Sequence, residues 1–451
     1  MESNNRPYWN MEMESIQNTP AIRELQLKKL KILVKKVYEN KPFWRSWLDK
    51  AGVKPSDIRT LDDFSKRIPV FTKQDRRKIF EDCEGNMVRV VDSVIAVPFK
   101  EICLLGATSG TTGEPSPYPF TENDLRWCQE VFARMLWRMG IRKGNVIVHA
   151  FGLSMLIAGV PFTQFFQKMA CVLPVGAEAG TDRILKYLKL FKADTLACTP
   201  SLASLLIEKA PSVLGESISS LGIQRLFCAG EPGAGLPVVK ARLEDGYVAK
   251  VYDHGAGFGI SCDHADYQGM HHVCDDYSFV ELVDQNTGEP VPFKDGAVGM
   301  AVQTLLEGEG FLWFRESLGD IFQVFTEPCP CGRSGFRYKI IGRTDDMLKV
   351  KGMMVYPAAI AGVIKGFVPR ITGEFRIVLN EAPPRVEPPL IIKIESGENF
   401  PEDKLPSLAS EIEETMHNRC KIRPKIIWIP SNSLERATHK TKFFEKNYEE
   451  K

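Results

Sequence analysis

Leu25, Leu27, Leu30, Leu33, Val34 and Val37 recur at nearly helical spacing, which predicts helix across residues 20–50. A shorter helix, with acidic and basic residues at its ends, follows through Ser65. From about residue 98 the texture changes. The apolar runs Val146–Val148, Cys171–Val175 and Thr195–Cys198 alternate with amphipathic stretches at 182–192 and 201–209. That alternation predicts βαβ units around a largely parallel sheet. Beyond Gly296 the chain turns to short β segments. The tail then mixes helices (358–367, 404–420) with strands (Phe375–Leu379, Leu390–Ile394, Lys425–Ile429), enough for a small α+β domain of roughly 100 residues. The expected fold class is α/β: a large N-terminal domain with mixed or parallel sheets flanked by helices, plus a small C-terminal α+β domain joined by a hinge near Arg343. The boundaries are a helical part at 1–95, a core at 96–342 and a small mobile domain at 343–451.

Between the first core strand and the next helix lies GATSGTTGEPSPYPF (106–120), dense in glycine, hydroxyl residues and proline. A surface turn explains such a run. A phosphate cradle explains it too, because glycines let backbone N–H groups approach an anion and Ser/Thr hydroxyls add donors. Two familiar cradles are excluded. A P-loop needs Gly-Lys-Ser/Thr, yet there is no Lys between Glu101 and Lys143; a dinucleotide loop needs glycine where Thr108 stands.

Composition narrows the classes. At 451 residues two or more domains are the default, and 44% hydrophobic with 25% charged residues describes a folded soluble chain. The net charge of +1 offers no general attraction to nucleic acid or an acidic membrane. No basic apolar leader begins the sequence and no apolar run reaches membrane-spanning length, so a cytoplasmic location is expected. Eleven cysteines are then reduced thiols or metal ligands.

The stretch TSGTTGEPSPYPFT resembles the phosphate-binding signature of adenylate-forming enzymes, the acyl-CoA synthetase superfamily. GRTDDMLKVKGMMVYPAAI (342–360) resembles the hinge motif of phenylacetate–CoA ligases. The likeness continues through residues 26–73, CAGEP (228–232), GMH (269–271) and CPCGR (329–333), in family order. It implies an ATP-dependent acid–CoA ligase: a carboxylate attacks the α-phosphate of ATP, and CoA then displaces AMP from the acyl-adenylate. On that resemblance Thr108, Ser109, Gly110, Thr111, Thr112 and Gly113 hold phosphate. Gly230, Glu231 and Tyr252 line the adenine side, Asp320 grips the ribose hydroxyls, and Arg343 lies nearby. Asp345 is the pivot, and Lys440 is the catalytic cation on the α-phosphate. Alone, Tyr252 reads as a core aromatic, Asp320 as a turn residue and Lys440 as part of a basic tail.

One motif departs from the family. Where it has Tyr-Gly-x-Ser/Thr-Glu, this chain reads Tyr252-Asp253-His254-Gly255-Ala256, so the carboxylate that helps hold Mg²⁺ is replaced by a methyl group. Asp253 or another carboxylate replaces it, ATP and water hold the metal, or activity is lost; the residues leave these open.

Residues 262–274 and 329–331 contain four Cys and three His, types that favour zinc. Their spacing leaves the ligand set open. The resemblance selects Cys262, His271, Cys329 and Cys331 around a structural zinc, with His264, His272 and Cys274 in reserve. HAFGLSMLIAGVPF (149–162) falls where relatives line the acyl cavity, which suggests an aromatic carboxylate; a buried helix explains the same letters. Two other readings stand beside the CoA ligase: an adenylating enzyme with a non-CoA acceptor such as a deazaflavin cofactor, and a non-catalytic nucleotide- or acyl-binding paralogue. The implied partners are the carboxylic acid, ATP with Mg²⁺, and CoA, with no nucleic acid or membrane; a homodimer stays open.

Overall fold

The computed structural model describes residues 6–108, 116–231, 233–262, 269–350, 353–435 and 442–448. The N-terminal stretch is helical as expected, but the long helix is broken. Helix Pro20–Asn40 ends at Lys41 and a second helix, Pro42–Lys50, starts with proline in its first turn. Pro42 has no N–H to continue the first ladder and its fixed φ suits a new helix start. Further helices at Leu61–Arg67 and Lys73–Asp82 each open on a Thr/Asp capping box, from Thr60 and Thr72. Their apolar faces, including Leu30, Val34, Trp44 and Phe64, pack with Phe71 between the helices, with Phe279 of the large sheet and with Phe314 in a loop of that sheet.

The core begins with a hairpin, β1 (Leu104–Thr108) and β2 (Ser116–Phe120). Pro117 and Pro119 sit inside β2, where sequence alone argues against a strand. Phe120 O accepts from Cys103 N at 2.9 Å, so residues 116, 118 and 120 face β1 and the two prolines face away.

Next come β3 (Val146–His149), β4 (Cys171–Pro174), β5 (Thr195–Cys198), β6 (Arg225–Cys228) and β7 (Lys250–Gly255), joined by helices and paired in parallel. The sheet does not stop there. β8 (Gly259–Ser261), β9 (Met270–His272), β10 (Ser278–Val283), β11 (Pro290–Val291), β12 (Val298–Leu305), β13 (Asp320–Phe325) and β14 (Arg337–Arg343) continue it with antiparallel pairing. The result is one twelve-stranded mixed sheet, ordered β11-β10-β12-β13-β14-β9-β8-β7-β6-β5-β3-β4. The parallel half was legible because helices separate its strands. The antiparallel half, joined by turns, extends the expected βαβ core and makes the sheet mixed.

After β14 the chain forms a three-stranded sheet (Leu348–Val350, Met353–Val355, Arg385–Val386) and a four-stranded one centred on Ile371–Leu379 and Ile391–Ser396. Helices Pro357–Ile364 and Leu405–Cys420 cover a separate apolar core that includes Ile360, Ile377, Ile392 and Ile412. Among the described residues no helix is long and apolar enough to cross a membrane.

Candidate functional site

Parallel strands deliver their carboxyl ends to one edge, the usual ligand edge of such sheets. Past β5, Thr199 caps helix Pro200–Leu214 by accepting from Leu202 N. Past β6 come Gly230 and Glu231; Glu231 Oε1 accepts from Ser201 N at 2.8 Å, placing a carboxylate on that helix's N-terminus. Tyr252 on β7 stands in register with Phe227 and is 3% exposed, inside the aromatic core of the large domain. Thr108 closes β1 opposite Ser116. Ser109, Gly110, Thr111, Thr112 and Gly113 lie outside the described residues. Ile157 N donates to Ala107 O at 2.8 Å, so the segment after β3 braces the base of that loop.

In the antiparallel half of the sheet, Asp320 opens β13 directly across from Arg343, which ends β14. Arg343 Nη1 donates to Asp320 Oδ1 at 2.7 Å, Nη2 to Leu318 O at 2.8 Å, and Nε to Asp345 Oδ1 at 3.2 Å. Lys73, in a helix far away in sequence, donates to Asp345 Oδ2 at 2.5 Å. Burial works against the Arg343 charge, but Asp320 and Asp345 outweigh it and keep the guanidinium protonated. Burial likewise opposes the Asp345 charge, and Arg343 with Lys73 reverses that and holds its carboxyl below the usual range. Three of the sequence-selected residues thus form one array. Lys73 joins it unannounced, since nothing in its local pattern marks it. Lys440 lies outside the described residues.

The segment 149–162 is mostly irregular. Only from Val160 does it become helix (Val160–Phe166), and Met155 is 61% exposed. His149 is tied to Thr163 Oγ1 and Ala158 O, both at 2.8 Å, as a structural imidazole. His254, two residues past Tyr252 on the same strand face, packs among Phe227, Phe132 and Phe162, with centroids 5.1, 5.6 and 5.8 Å away. Its Nδ1 lies 2.7 Å from Gly259 O; a carbonyl only accepts, so Nδ1 carries the proton and Nε2 is the acceptor. Burial pushes both imidazoles down to about 4 from an ordinary 6.5. Between those values the unfolded chain takes up protons that the folded chain refuses, so stability present above pH 6.5 is lost as pH falls toward 4. Urea unfolding from pH 7 to pH 5 is expected to show that slope and His149→Gln to flatten it. An unchanged slope in the variant would refute the assignment for His149.

Cys262, His271, Cys329 and Cys331 converge, and one ligand atom from each lies within 4.8 Å of all the others. Adjacency of β8, β9 and β14 explains this. Cys262 follows β8, His271 lies on β9 between Ile260 and Arg337, and the two other cysteines sit in the turn from β13 to β14. Gly269 is required at the entry to β9. Its φ is +96°, and a Cβ there would meet Tyr338 O at 2.7 Å. Cys262 Sγ and Cys329 Sγ are 3.7 Å apart, and Cys331 Sγ is 3.4 Å from His271 Nε2. Tetrahedral zinc, at about 2.3 Å from sulfur and about 2.0 Å from nitrogen, would space such pairs by about 3.8 and 3.5 Å. The donor set therefore fits zinc. Hydrogen bonding to Cys262 and to His271 pulls the Cys331 thiol down against burial, toward the thiolate a metal needs. The reserves serve elsewhere: His272 faces the opposite way, bonds Asp275 Oδ1 at 2.9 Å and stacks on Phe336, while Cys274 Sγ lies 3.7 Å from its Nε2. His264 lies outside the described residues.

Residues 352–446 match the family described as AMP-binding enzyme C-terminal domain. A phenylacetate–coenzyme A ligase of Thermus thermophilus is 31% identical over 411 residues, spanning 90% of this chain and 88% of that one. The Escherichia coli enzyme of the same name is 27% identical over 364 residues, covering 79% of this chain and 80% of its own. Among solved structures, 2-hydroxyisobutyryl-CoA ligase in its postadenylation state, with R3-HIB-AMP, superposes with a TM-score of 0.88 at 26% identity, covering 100% of this chain and 94% of that one. The same enzyme in its thioesterification state, with 2-HIB-AMP and CoA, gives 0.69 at 28% identity, covering 98% and 93%.

Proposed function

The chain belongs to the phenylacetate–coenzyme A ligase family and is an ATP-dependent, AMP-forming acid–CoA ligase; we propose that its acid is a small aromatic carboxylate. The observation that supports the choice is the ring cluster of Phe132, Phe162, Phe227 and His254, where two helices pack against the carboxyl-terminal residues of β6 and β7, suited to a flat apolar acid. In this reading the loop at 108–113 donates to the ATP phosphates. Gly230, Glu231 and Tyr252 flank adenine, Glu231 through its backbone because its carboxylate caps a helix. Asp320 accepts from the ribose hydroxyls while Arg343 fixes its orientation. Lys440 offsets charge building on the α-phosphate. No carboxylate stands at Ala256, so Mg²⁺ would arrive held by ATP itself.

His254 favours one second reading. Its Nε2 accepts, and a neutral acceptor among rings would select an acid bearing a hydroxyl donor. Pyrophosphate release across a panel of aryl, aryl-hydroxy and short hydroxy acids, with and without CoA, separates these. Aryl acids turning over with CoA support the first reading. Activity confined to short hydroxy acids replaces it with the second, and adenylation without CoA use would point to a different acceptor.

The Cys262–His271–Cys329–Cys331 cluster is read as a structural zinc site. With four protein ligands it leaves no open position for catalysis.

The C-terminal part is read as a mobile domain pivoting at Asp345, its present placement being the adenylation side of the cycle. In support, the superposition favours a neighbour's postadenylation state, at 0.88 against 0.69. Gly342 tests this. A Cβ there would come within 2.2 Å of the Tyr356 ring, which leads helix Pro357–Ile364. Gly342→Ala is expected to disfavour this placement and slow adenylation about tenfold, equivalent to ~1.4 kcal/mol. Thioester formation from synthetic acyl-AMP should persist. Equal loss in both half-reactions would reject the selective role.

A further inference from the structure

Arg138 ends helix Glu122–Arg138 with its side chain inside the protein, at 5% exposure. Its Nε and Nη2 are buried and find no hydrogen-bond acceptor. Glu14 is the carboxylate that acts on Arg138, and no hydrogen bond joins the two. Glu14 Oε2 instead accepts from Asn10 N at 2.8 Å. Arg333, two residues past Cys331, donates to the Arg138 carbonyl at 3.3 Å and adds positive charge rather than relieving it. The groups that favour the Arg138 charge are Cys331 first, then Glu14, then Cys262. A buried guanidinium with no hydrogen-bonded anion is strongly unfavourable, so negative charge on the cysteine cluster, beyond that of Glu14, would stabilise it. A zinc ion bound by three thiolates and one neutral imidazole carries one net negative charge.

We propose that Arg138 is the charge partner of the Cys262–His271–Cys329–Cys331 centre, neutralising the zinc-bound thiolates from within the protein. The inference rests on the zinc reading above and adds a residue to it. Arg138 touches no substrate; it is a positioning residue whose guanidinium and the metal centre make each other's burial tolerable. Outer-shell partners of this kind typically alter metal affinity by about 10–100-fold.

The test uses full-length wild type, Arg138→Met and Arg138→Lys. Zinc transfer to a chelating dye is followed, and thermal unfolding is compared for zinc-loaded and zinc-stripped protein. Arg138→Met is expected to release zinc about 10–100-fold more readily. Stripped Arg138→Met should unfold no earlier than stripped wild type, because methionine removes an uncompensated charge at similar volume. Arg138→Lys, which keeps the charge, should hold zinc more tightly than Arg138→Met. Wild-type retention in Arg138→Met would overturn the proposal and leave the zinc reading intact. The same fall in unfolding temperature with and without zinc would make Arg138 a packing residue and also overturn it. A wild type that takes up no zinc would sink both readings, an outcome distinguishable because it needs no variant.

Discussion

Lys440→Ala is expected to slow acyl-adenylate formation by about 10²–10³-fold, the usual range for losing one fixed electrostatic stabiliser of a developing charge. The same variant should convert synthetic acyl-AMP and CoA to the thioester near the wild-type rate. The asymmetry follows from where charge appears. Attack on the α-phosphate builds negative charge that a positioned cation offsets, and uniform ground-state binding would not raise the rate of that step. Thioester formation builds charge on the acyl carbonyl instead. The chain supplies the means of positioning: strand Phe444–Lys446 runs parallel to Ile377–Leu379 and ties the segment after Lys440 into the small sheet. Pyrophosphate release and thioester absorbance, measured separately, read the two steps. Equal losses in both would make Lys440 structural and remove it from the proposed mechanism.

Cys329→Ser with Cys331→Ser is expected to abolish binding of about one zinc per chain and to cost on the order of 4 kcal/mol of stability. Those two thiols come from one turn, whereas Cys262 directly follows β8 and His271 lies on the neighbouring β9, so the metal would tie the β13–β14 turn to β8 and β9. The turn carries more than its own weight. Ser334 N donates to the Tyr8 hydroxyl at 3.0 Å and the Ser334 hydroxyl donates to Glu14 O, which links the N-terminal segment to the same loop. Metal analysis of replete protein and denaturant unfolding provide the check. Stoichiometric zinc in the double variant, or a wild type without zinc, would refute the site.

Much of the framework lay open in one dimension. The βαβ alternation, the glycine- and hydroxyl-rich run, the hinge signature and the Cys/His segments are local patterns, set by chain stiffness, hydrogen-bonding capacity and side-chain period. They carried the fold class and the choice of Cys262, His271, Cys329 and Cys331, the last through resemblance rather than spacing. Other features required the third dimension. The antiparallel half of the sheet depends on which turn-linked strands pair, and short apolar runs do not encode a partner. Pro117 and Pro119 are tolerated because both face away from β1, a property of register. Lys73 reaches Asp345, and Arg138 meets Arg333 of the cysteine-bearing turn, only after helices far away in sequence have packed. Their significance lies in burial and in the charge opposite them. A charged residue reads as solvated wherever the sequence leaves its surroundings unspecified; packing alone withdraws the water and makes its partner matter.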